Sequence, residues 1–437
     1  MSKCTSCGEC AKVCPVDLKD GYNEGLSIKK AAFKQYAQAI PGAFAIDKKG
    51  TAPCRSSCPA HVSVQGFIAL IQQGKYHEAL ALFKQDHPFP GVCGRVCHHP
   101  CEGVCTRNQV DDTLSIQYLH RFLADKDLEQ DQPFLPEKKE AREEKVAVIG
   151  AGPAGLTCAY YLAIEGYQVT VVVKLPVLGG MLTVGIPAYR LPRNIIESEI
   201  DVIRALGVAF KTGVEIGRDF TIAQLREQGF KSFFMGIGSH ECKVLGIEGE
   251  ELEGVYPGVD FLREVNLGNP VKLGDRVAVV GGGNVAMDSV RTALRTGSSK
   301  PFVVYRRSYA EMPANEVEIE ECAEEGVDIM TLTAPVRVVG ENGRVTGLEC
   351  IKMELGEADD SGRRRPVPVE GSEFVMDVAR VIPAFGQERD WACLSDACAC
   401  TLCVWGTMTV EPVTLQSTDP DIFSGGDAVS GPGSVVV

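Results

Sequence analysis

The apolar positions of the chain change rhythm near residue 145. Upstream, over residues 63–86, they recur at helical spacing. Val64, Phe67, Leu70 and Ile71 form one stripe, and Ala79, Leu80, Leu82 and Phe83 another, which predicts two short helices. A charged, proline-containing stretch over 125–145 reads as a linker. From Val146 onward, short β-branched runs alternate with helical segments and glycine-rich turns, the pattern of parallel α/β domains. Residues 146–149 and 277–280 are expected strands, each opening into a glycine-rich turn and then a helix. No short-period repeat is visible. The two glycine turns point to two related nucleotide-binding domains.

With 437 residues, the chain exceeds what one compact domain usually holds, so two or three domains are expected. No apolar run reaches the roughly 18 residues that would suggest a membrane span. The formal charge of −14 argues against nucleic acid as a partner, because a phosphate backbone needs a basic face. The 18 cysteines change the picture most. Cys4, Cys7, Cys10 and Cys14 occupy the place where a signal peptide's apolar region would lie. Metal binding in a reducing cytoplasm is therefore expected, rather than a secreted disulfide framework.

Ten of the cysteines precede Leu114. Cys4, Cys7, Cys10 and Cys14, followed by Pro15, give C-x2-C-x2-C-x3-C-P, the bacterial ferredoxin run for a [4Fe–4S] cluster. In two-cluster ferredoxins the fourth cysteine of this run serves the other cluster, so Cys14 is open to either assignment. A second group consists of Cys54-x3-Cys58-Pro59 and then Cys93-x3-Cys97-x3-Cys101-x3-Cys105. A period of four would align thiols on one helical face, but Pro100 and Gly103 break that helix, so a loop wrapping a cluster is expected. Zinc is the alternative, although it favours paired C-x2-C ligands that this group lacks. Ten thiols exceed the needs of two four-cysteine clusters and fall short of three. A third cluster would need other ligands, for which His120 and Gln117 are the nearest candidates. Cys158, Cys242, Cys322 and Cys350 are scattered, and Cys393, Cys398, Cys400 and Cys403 fit no cluster spacing. All eight are expected to be free thiols, with a metal site the minor alternative.

Gly150-Ala151-Gly152-Pro153-Ala154-Gly155 is G-x-G-x-x-G between a strand and a helix. Gly150 permits the tight turn, Gly152 lets a pyrophosphate approach the backbone, and Gly155 allows close helix–strand packing, with the helix N-terminus facing the anion. The acid that usually grips the ribose should end the next strand, yet Gln168–Val173 runs into Val173-Lys174 with no carboxylate. The second turn, Gly281-Gly282-Gly283-Asn284-Val285-Ala286, is the G-x-G-x-x-A variant. Its next strand, over 302–305, ends in Arg306-Arg307. Two guanidinium groups there suit a ribose 2′-phosphate, and so NADPH over NADH. The bland alternative is that they form surface salt bridges.

Residues 54–437 resemble the small subunit of NADPH-dependent glutamate synthase and its relatives. The resemblance lies in Cys54 to Pro59, Gly94 to Cys105, Gly150 to Gly155, Leu178-Gly179-Gly180-Met181, Gly185-Ile186-Pro187, Tyr189-Arg190-Leu191-Pro192, Gly281 to Asp288, Tyr305-Arg306-Arg307 and Gly425-Gly426-Asp427. The amino-terminal part is similar to the A subunit of heterodisulfide reductase, through Cys4 to Pro15, Asn23-Glu24-Gly25-Leu26 and Gln38-Ala39. The resemblance implies an α/β fold with two Rossmann-like dinucleotide-binding domains, for FAD and NAD(P)H. A helical iron–sulfur domain and a short ferredoxin-like segment precede them. The expected boundaries are a ferredoxin-like segment over 1–50, a helical iron–sulfur domain over 51–125 and a linker over 126–144. The FAD domain occupies 145–270, the NAD(P)H domain 271–380, and the FAD domain resumes near Val381 to 437, where the sequence is expected to stop inside it.

The resemblance further implies that Gly150, Gly152, Ala154, Gly155, Gly180 and Met181 hold FAD, with Gly426 and Asp427 near its ribityl chain. It assigns NADPH to Gly281, Gly283, Asn284, Arg306 and Arg307. Cys58, Cys97, Cys101 and Cys105 would hold one [4Fe–4S] cluster. Val173 stands where such proteins carry glutamate, and the helix expected after Asp427 is missing. The expected function is electron transfer between NAD(P)H, FAD and at least two [4Fe–4S] clusters, to or from partner subunits of a larger complex. The cofactors carry the chemistry, so no catalytic acid, base or nucleophile is expected. The rival reading is a non-catalytic iron–sulfur relay and docking subunit with a degenerate flavin or nucleotide site.

Overall fold

In a computed structural model, the described residues are 6–14, 16–20, 24–34, 44–46, 50–130, 132–269, 271–359, 362–394 and 398–436. Residues 1–138 with 434–437 form one unit, and 139–433 a second.

The first unit begins with helix α1 (Glu9–Lys12) and two short antiparallel pairs. These are β1 (Asp17–Lys19) with β2 (Ile28–Lys30), and β3 (Ala32–Phe33) with β4 (Ala45–Ile46). Helices follow: α2 (Pro53–Ser57), α3 (Val64–Gln72), α4 (Tyr76–Asp86), α5 (Pro90–Val96), α6 (Pro100–Gly103) and α7 (Ile116–Leu128). The two predicted stripes become α3 and α4. Phe67, Leu70, Ala79, Leu80 and Phe83 are buried together with Ile116 and Leu123 of α7. His120 is packed edge-on against Phe67 and Phe83, with ring centroids 5.2 and 4.6 Å away. Burial there pushes its pKa down to about 3 and keeps the ring neutral. Prolines start α2, α5 and α6, so the cysteine-rich stretch is cut into short helices with thiols at their junctions. Helix α7 runs to Leu128, into the stretch read as linker.

The second unit holds two parallel sheets. Its first part contains β5 (Lys145–Ile149), α8 (Pro153–Ile164), β6 (Gln168–Val173), α9 (Met181–Val184), α10 (Arg193–Ala205) and β7 (Ala209–Thr212), then α11 (Ile222–Glu227), β8 (Phe230–Met235) and β9 (Glu241–Cys242). The second part contains α12 (Gly258–Asn266), whose Phe261 and Leu262 pack with Val277 and Ala286, then β10 (Arg276–Val280), α13 (Asn284–Arg295), β11 (Lys300–Val304), α14 (Glu316–Glu324) and β12 (Asp328–Met330). It continues through β13 (Thr333–Glu341), β14 (Arg344–Ala358), β15 (Arg364–Pro368), β16 (Phe374–Asp377) and β17 (Arg380–Pro383). The chain then returns through β18 (Gln387–Glu388), β19 (Ile422–Ser424) and α15 (Asp427–Ser430).

The first sheet has the order β19-β8-β5-β6-β7 and the second β12-β11-β10-β17, both parallel throughout. Alternation along β10 shows why its apolar run is continuous. Val277 and Val279 pack with Ala286 and Val290 of α13, whereas Ala278 and Val280 pack with Leu348 and Cys350 of β14. Strand β17 pairs with β10, so the return to the first sheet falls after Pro383 rather than at Val381. The chain crosses between the two domains twice, and β9 and β18, one at each crossing, are hydrogen-bonded to each other.

Candidate cofactor sites

Each glycine turn closes the end of a central strand. Gly150 has φ +105°, and a Cβ on it would lie 2.2 Å from the Gly236 carbonyl oxygen. A Cβ on Gly155 would lie 2.0 Å from the Gly150 oxygen, so both positions exclude any side chain. A Cβ on Gly152, the cap of α8, meets no atom of the described residues within 4 Å. That open space is what a close-approaching pyrophosphate needs. Two other loops close on the same turn. A Cβ on Gly180 (φ +55°) would lie 2.8 Å from Gly152 Cα, and one on Gly426 (φ +63°) 2.7 Å from Ala154 Cβ. Gly179 also donates its N–H to the Ala151 oxygen at 2.9 Å. The structure thus brings Gly150, Gly152, Ala154, Gly155, Gly180 and Gly426 together, with Met181 opening α9 and Asp427 opening α15. Burial raises the Asp427 pKa, against an N–H hydrogen bond from Gly433 at 3.1 Å that lowers it. Among the described residues, Asp427 opens only the four residues of α15.

A cleft runs from this turn along the carboxyl ends of β5 and β6. Gly150, Gly152, Gly180, Val173, Lys174, Glu215 and Asp390 are among its lining residues. Val173 confirms the missing carboxylate in position, but the cleft is not without acids. Glu215 faces it, paired with Lys174 at 2.7 Å and with Arg218 at 2.7 Å. Sequence spacing missed Glu215, because it enters from the segment after β7, where Val214 N–H bonds the Val173 oxygen at 3.0 Å.

The second turn repeats the device. A Cβ on Gly281 would lie 2.3 Å from the Ala384 oxygen, and one on Gly282 2.4 Å from the Tyr305 ring. Gly283 caps α13, and the nearest atom to its Cβ position is 3.9 Å away. Asn284 Oδ1 accepts the Asn315 N–H at 2.9 Å, fixing the loop before α14 over the turn. The two arginines diverge. Arg306 is exposed, whereas Arg307 is buried. Arg307 donates to the Arg364 carbonyl at 2.8 Å and to Asp359 at 2.8 Å, so in this arrangement it braces the β14–β15 hairpin.

In the first unit, Cys4 and Pro15 lie outside the described residues. Cys7 and Cys10 are exposed, and Cys14 is partly buried with its thiol 3.6 Å from the Val16 oxygen. The second group converges. Cys58 acts electrostatically on Cys54, Cys97 and Cys101, and Cys105 acts on Cys54. Ser57 Oγ donates to the Pro100 oxygen at 3.2 Å and ties α2 to α6. Burial first, then neighbouring Cys97, Glu102 and Cys58, push the Cys101 thiol up to about 12. Cluster assembly must therefore displace its proton. His99 donates its backbone N–H to Cys97 Sγ at 3.3 Å, the kind of bond that supports a cluster sulfur.

Cys93 is turned elsewhere. His87 Nδ1 accepts the Phe89 N–H at 3.0 Å, so the ring proton sits on Nε2, 3.1 Å from Cys93 Sγ. His120 is enclosed by phenylalanines, and Gln117 donates to the Cys97 carbonyl at 2.9 Å. Among the described residues no group of three or more His, Cys, Asp or Glu side chains is placed to hold a single metal ion. None of the eight later cysteines forms a disulfide among the described residues.

Two glycine cradles on paired parallel domains, with a cysteine cage on the same chain, define an iron–sulfur flavoprotein oxidoreductase class. Comparison with known proteins agrees. Residues 144–437 match pyridine nucleotide-disulphide oxidoreductase, residues 48–132 match the dihydropyrimidine dehydrogenase domain II with its 4Fe–4S cluster, and residues 1–18 match a 4Fe–4S binding domain. The chain belongs to the pyridine nucleotide-disulphide oxidoreductase family.

It is 45% identical to the NADP(+)-dependent formate dehydrogenase subunit beta of Moorella thermoacetica over 88% of this chain and 58% of that protein. It is 42% identical to the NADPH-Fe(3+) oxidoreductase subunit beta of Geobacter sulfurreducens over 89% and 62%. It thus spans about three-fifths of the length of these two relatives. It is also 34% identical to the glutamate synthase [NADPH] small chain of Escherichia coli, over 89% of this chain and 85% of that one. In fold it is similar to Mycobacterium tuberculosis FprA in complex with NADPH, with a TM-score of 0.56 and 18% identity over 68% of this chain and 81% of that one. No helix among the described residues is long and apolar enough to cross a membrane.

Proposed function

We propose that this chain is the electron-transfer subunit of a multi-subunit oxidoreductase, exchanging electrons between NADPH and [4Fe–4S] clusters through FAD. The observation that carries this reading is the pair of open cradles. Gly152 and Gly283 each cap a helix and each present backbone that a phosphate can approach. FAD bound in the first cradle supplies the conversion between hydride and single electrons. Gly150, Gly152, Ala154, Gly155, Gly180 and Gly426 shape its pyrophosphate turn, Met181 and Asp427 border it, and Glu215 lies along its cleft. Gly281, Gly283, Asn284 and Arg306 receive NADPH. Cys58, Cys97, Cys101 and Cys105 supply the four thiolates of one cluster, and Cys4, Cys7, Cys10 and Cys14 those of another. The relatives named as beta subunits and as a small chain support a partner subunit as electron acceptor or donor. The cysteine-rich composition supports a reducing cytoplasm.

An anaerobic absorbance titration tests this reading. NADPH is expected to bleach the flavin bands of the reconstituted chain and then the broad cluster absorption. Clusters with no bound flavin, or flavin that NADPH leaves oxidised, would instead support a relay and docking subunit, the reading that Val173 favours.

A further inference from the structure

We infer that Arg190 is a positioning residue for hydride transfer, fixing the helix that carries the second glycine cradle against the FAD domain. The inference rests on the proposed exchange between NADPH and FAD. Arg190 lies in the loop between α9 and α10, in the first domain of the second unit. Its Nη1 donates to both carboxylate oxygens of Asp288, at 2.8 and 2.7 Å, and its Nη2 donates to Glu318. Asp288 is one helical turn beyond Asn284 on α13, whose first turn is the NADPH cradle, and Glu318 is on α14. The neighbouring Tyr189 ring is covered by Arg291 and Arg295 of α13, at 5.0 and 3.9 Å. On the same side, Asn266 of α12 donates to the Val184 carbonyl at 2.9 Å, at the end of α9.

The chemistry of the contact favours orientation over cohesion. Asp288 and Glu318 are each only 5% exposed, and Glu318 Oε2 has no hydrogen-bond partner. A buried ion pair of this kind contributes little net stability compared with an apolar contact of the same size. A planar guanidinium shared by two carboxylates does fix direction, which an apolar contact does not. Three residues therefore define how α13 is turned relative to the first domain. Whatever sits in the α13 cradle inherits that alignment. Hydride transfer depends steeply on such alignment, since a displacement of about 1 Å can cost about a hundredfold in rate.

The test uses the full chain reconstituted with FAD and clusters, comparing wild type with R190K and D288N. Stopped-flow reduction of the flavin by NADPH gives a limiting rate and, from its concentration dependence, an NADPH dissociation constant. Bound FAD and the thermal midpoint are measured alongside. R190K is expected to lower the limiting rate about tenfold or more, because an ammonium cannot reproduce the fork. FAD content should be unchanged and NADPH affinity altered less than about threefold. D288N should do the same, and the double variant R190K/D288N should be no slower than the slower single variant. Wild-type flavin that NADPH fails to reduce overturns the proposed function and this inference together. Wild-type flavin that is reduced, with R190K and D288N reducing equally fast, overturns this inference alone. So does a slower rate that follows lost FAD or weakened NADPH binding.

Discussion

Lys174 and Glu215 meet at 2.7 Å on the wall of the cleft that begins at the first glycine turn. The strand β6 that should end in an acid ends in Val173, yet a carboxylate reaches the same cleft from the neighbouring segment. E215Q is therefore expected to weaken FAD binding about 10- to 150-fold, the scale of one charge-assisted hydrogen bond of about 1.5–3 kcal/mol. V173E in the E215Q background should restore most of the loss. The measurement is a binding isotherm of apoprotein with FAD. Unchanged affinity in E215Q would show that Glu215 only neutralises Lys174.

Arg306 and Arg307 should separate in their effects. Removing exposed Arg306 is expected to raise the Michaelis constant for NADPH about tenfold or more over that for NADH. Removing Arg307 takes away a partner of half-buried Asp359 and of the Arg364 carbonyl, so R307A should lower the thermal midpoint more than R306A does. Equal Michaelis constants in R306A and wild type, for both nucleotides, would reject the 2′-phosphate role.

C97S or C101S should abolish one cluster and leave the other. Iron and acid-labile sulfide are expected to fall from about eight to about four of each per chain under anaerobic purification, if two cubanes are present. Stoichiometric zinc in place of iron is the outcome that would reject the cluster assignment.

Glu318 gives a pH signature. Burial, opposed by Arg190 and Arg291 and aided by Asp288 and Glu321, raises its pKa to about 7. The unfolded chain releases this proton near the ordinary glutamate value, so between roughly pH 4.5 and 7 the folded state binds more protons than the unfolded one. Stability from this group is thus complete at the acid end and is lost as pH rises through about 7. A tenfold difference in proton affinity is worth about 1.4 kcal/mol. E318Q is expected to flatten that slope in chemical-denaturation curves taken across the window. A slope unchanged in E318Q would assign it to other groups.

Much of this architecture was legible in the sequence because it follows from local rules. β10 buries both faces, so its apolar run shows without alternation. Gly150, Gly155 and Gly281 leave no room for a Cβ, so their spacing shows as a motif. Pro100 forecast the break in the helix around Cys97 to Cys105, although short helices stand where a loop was expected. The remainder depended on tertiary placement. Arg307 is adjacent to Arg306, yet the hairpin carrying Asp359 and Arg364 claims it from more than 50 residues away. Cys93 keeps the period of its neighbours but is turned toward His87. Glu215 and the Arg190–Asp288 contact join segments whose proximity no local pattern encodes. Tyr189-Arg190 was visible as a motif without a role.

The pairing of β9 with β18 has a mechanical consequence. These two crossings are stitched side by side, so the domains share a double strap instead of a single tether. A swivel of one domain on the other would have to tear the Gln387–Cys242 and Glu388–Glu241 rungs, whereas a bend that keeps the strap flat need not. For the same reason, one proteolytic nick in either crossing would leave the two nucleotide domains attached. The freedom left to the molecule is that of a door on its hinge, and Arg190 stands where the bolt would be.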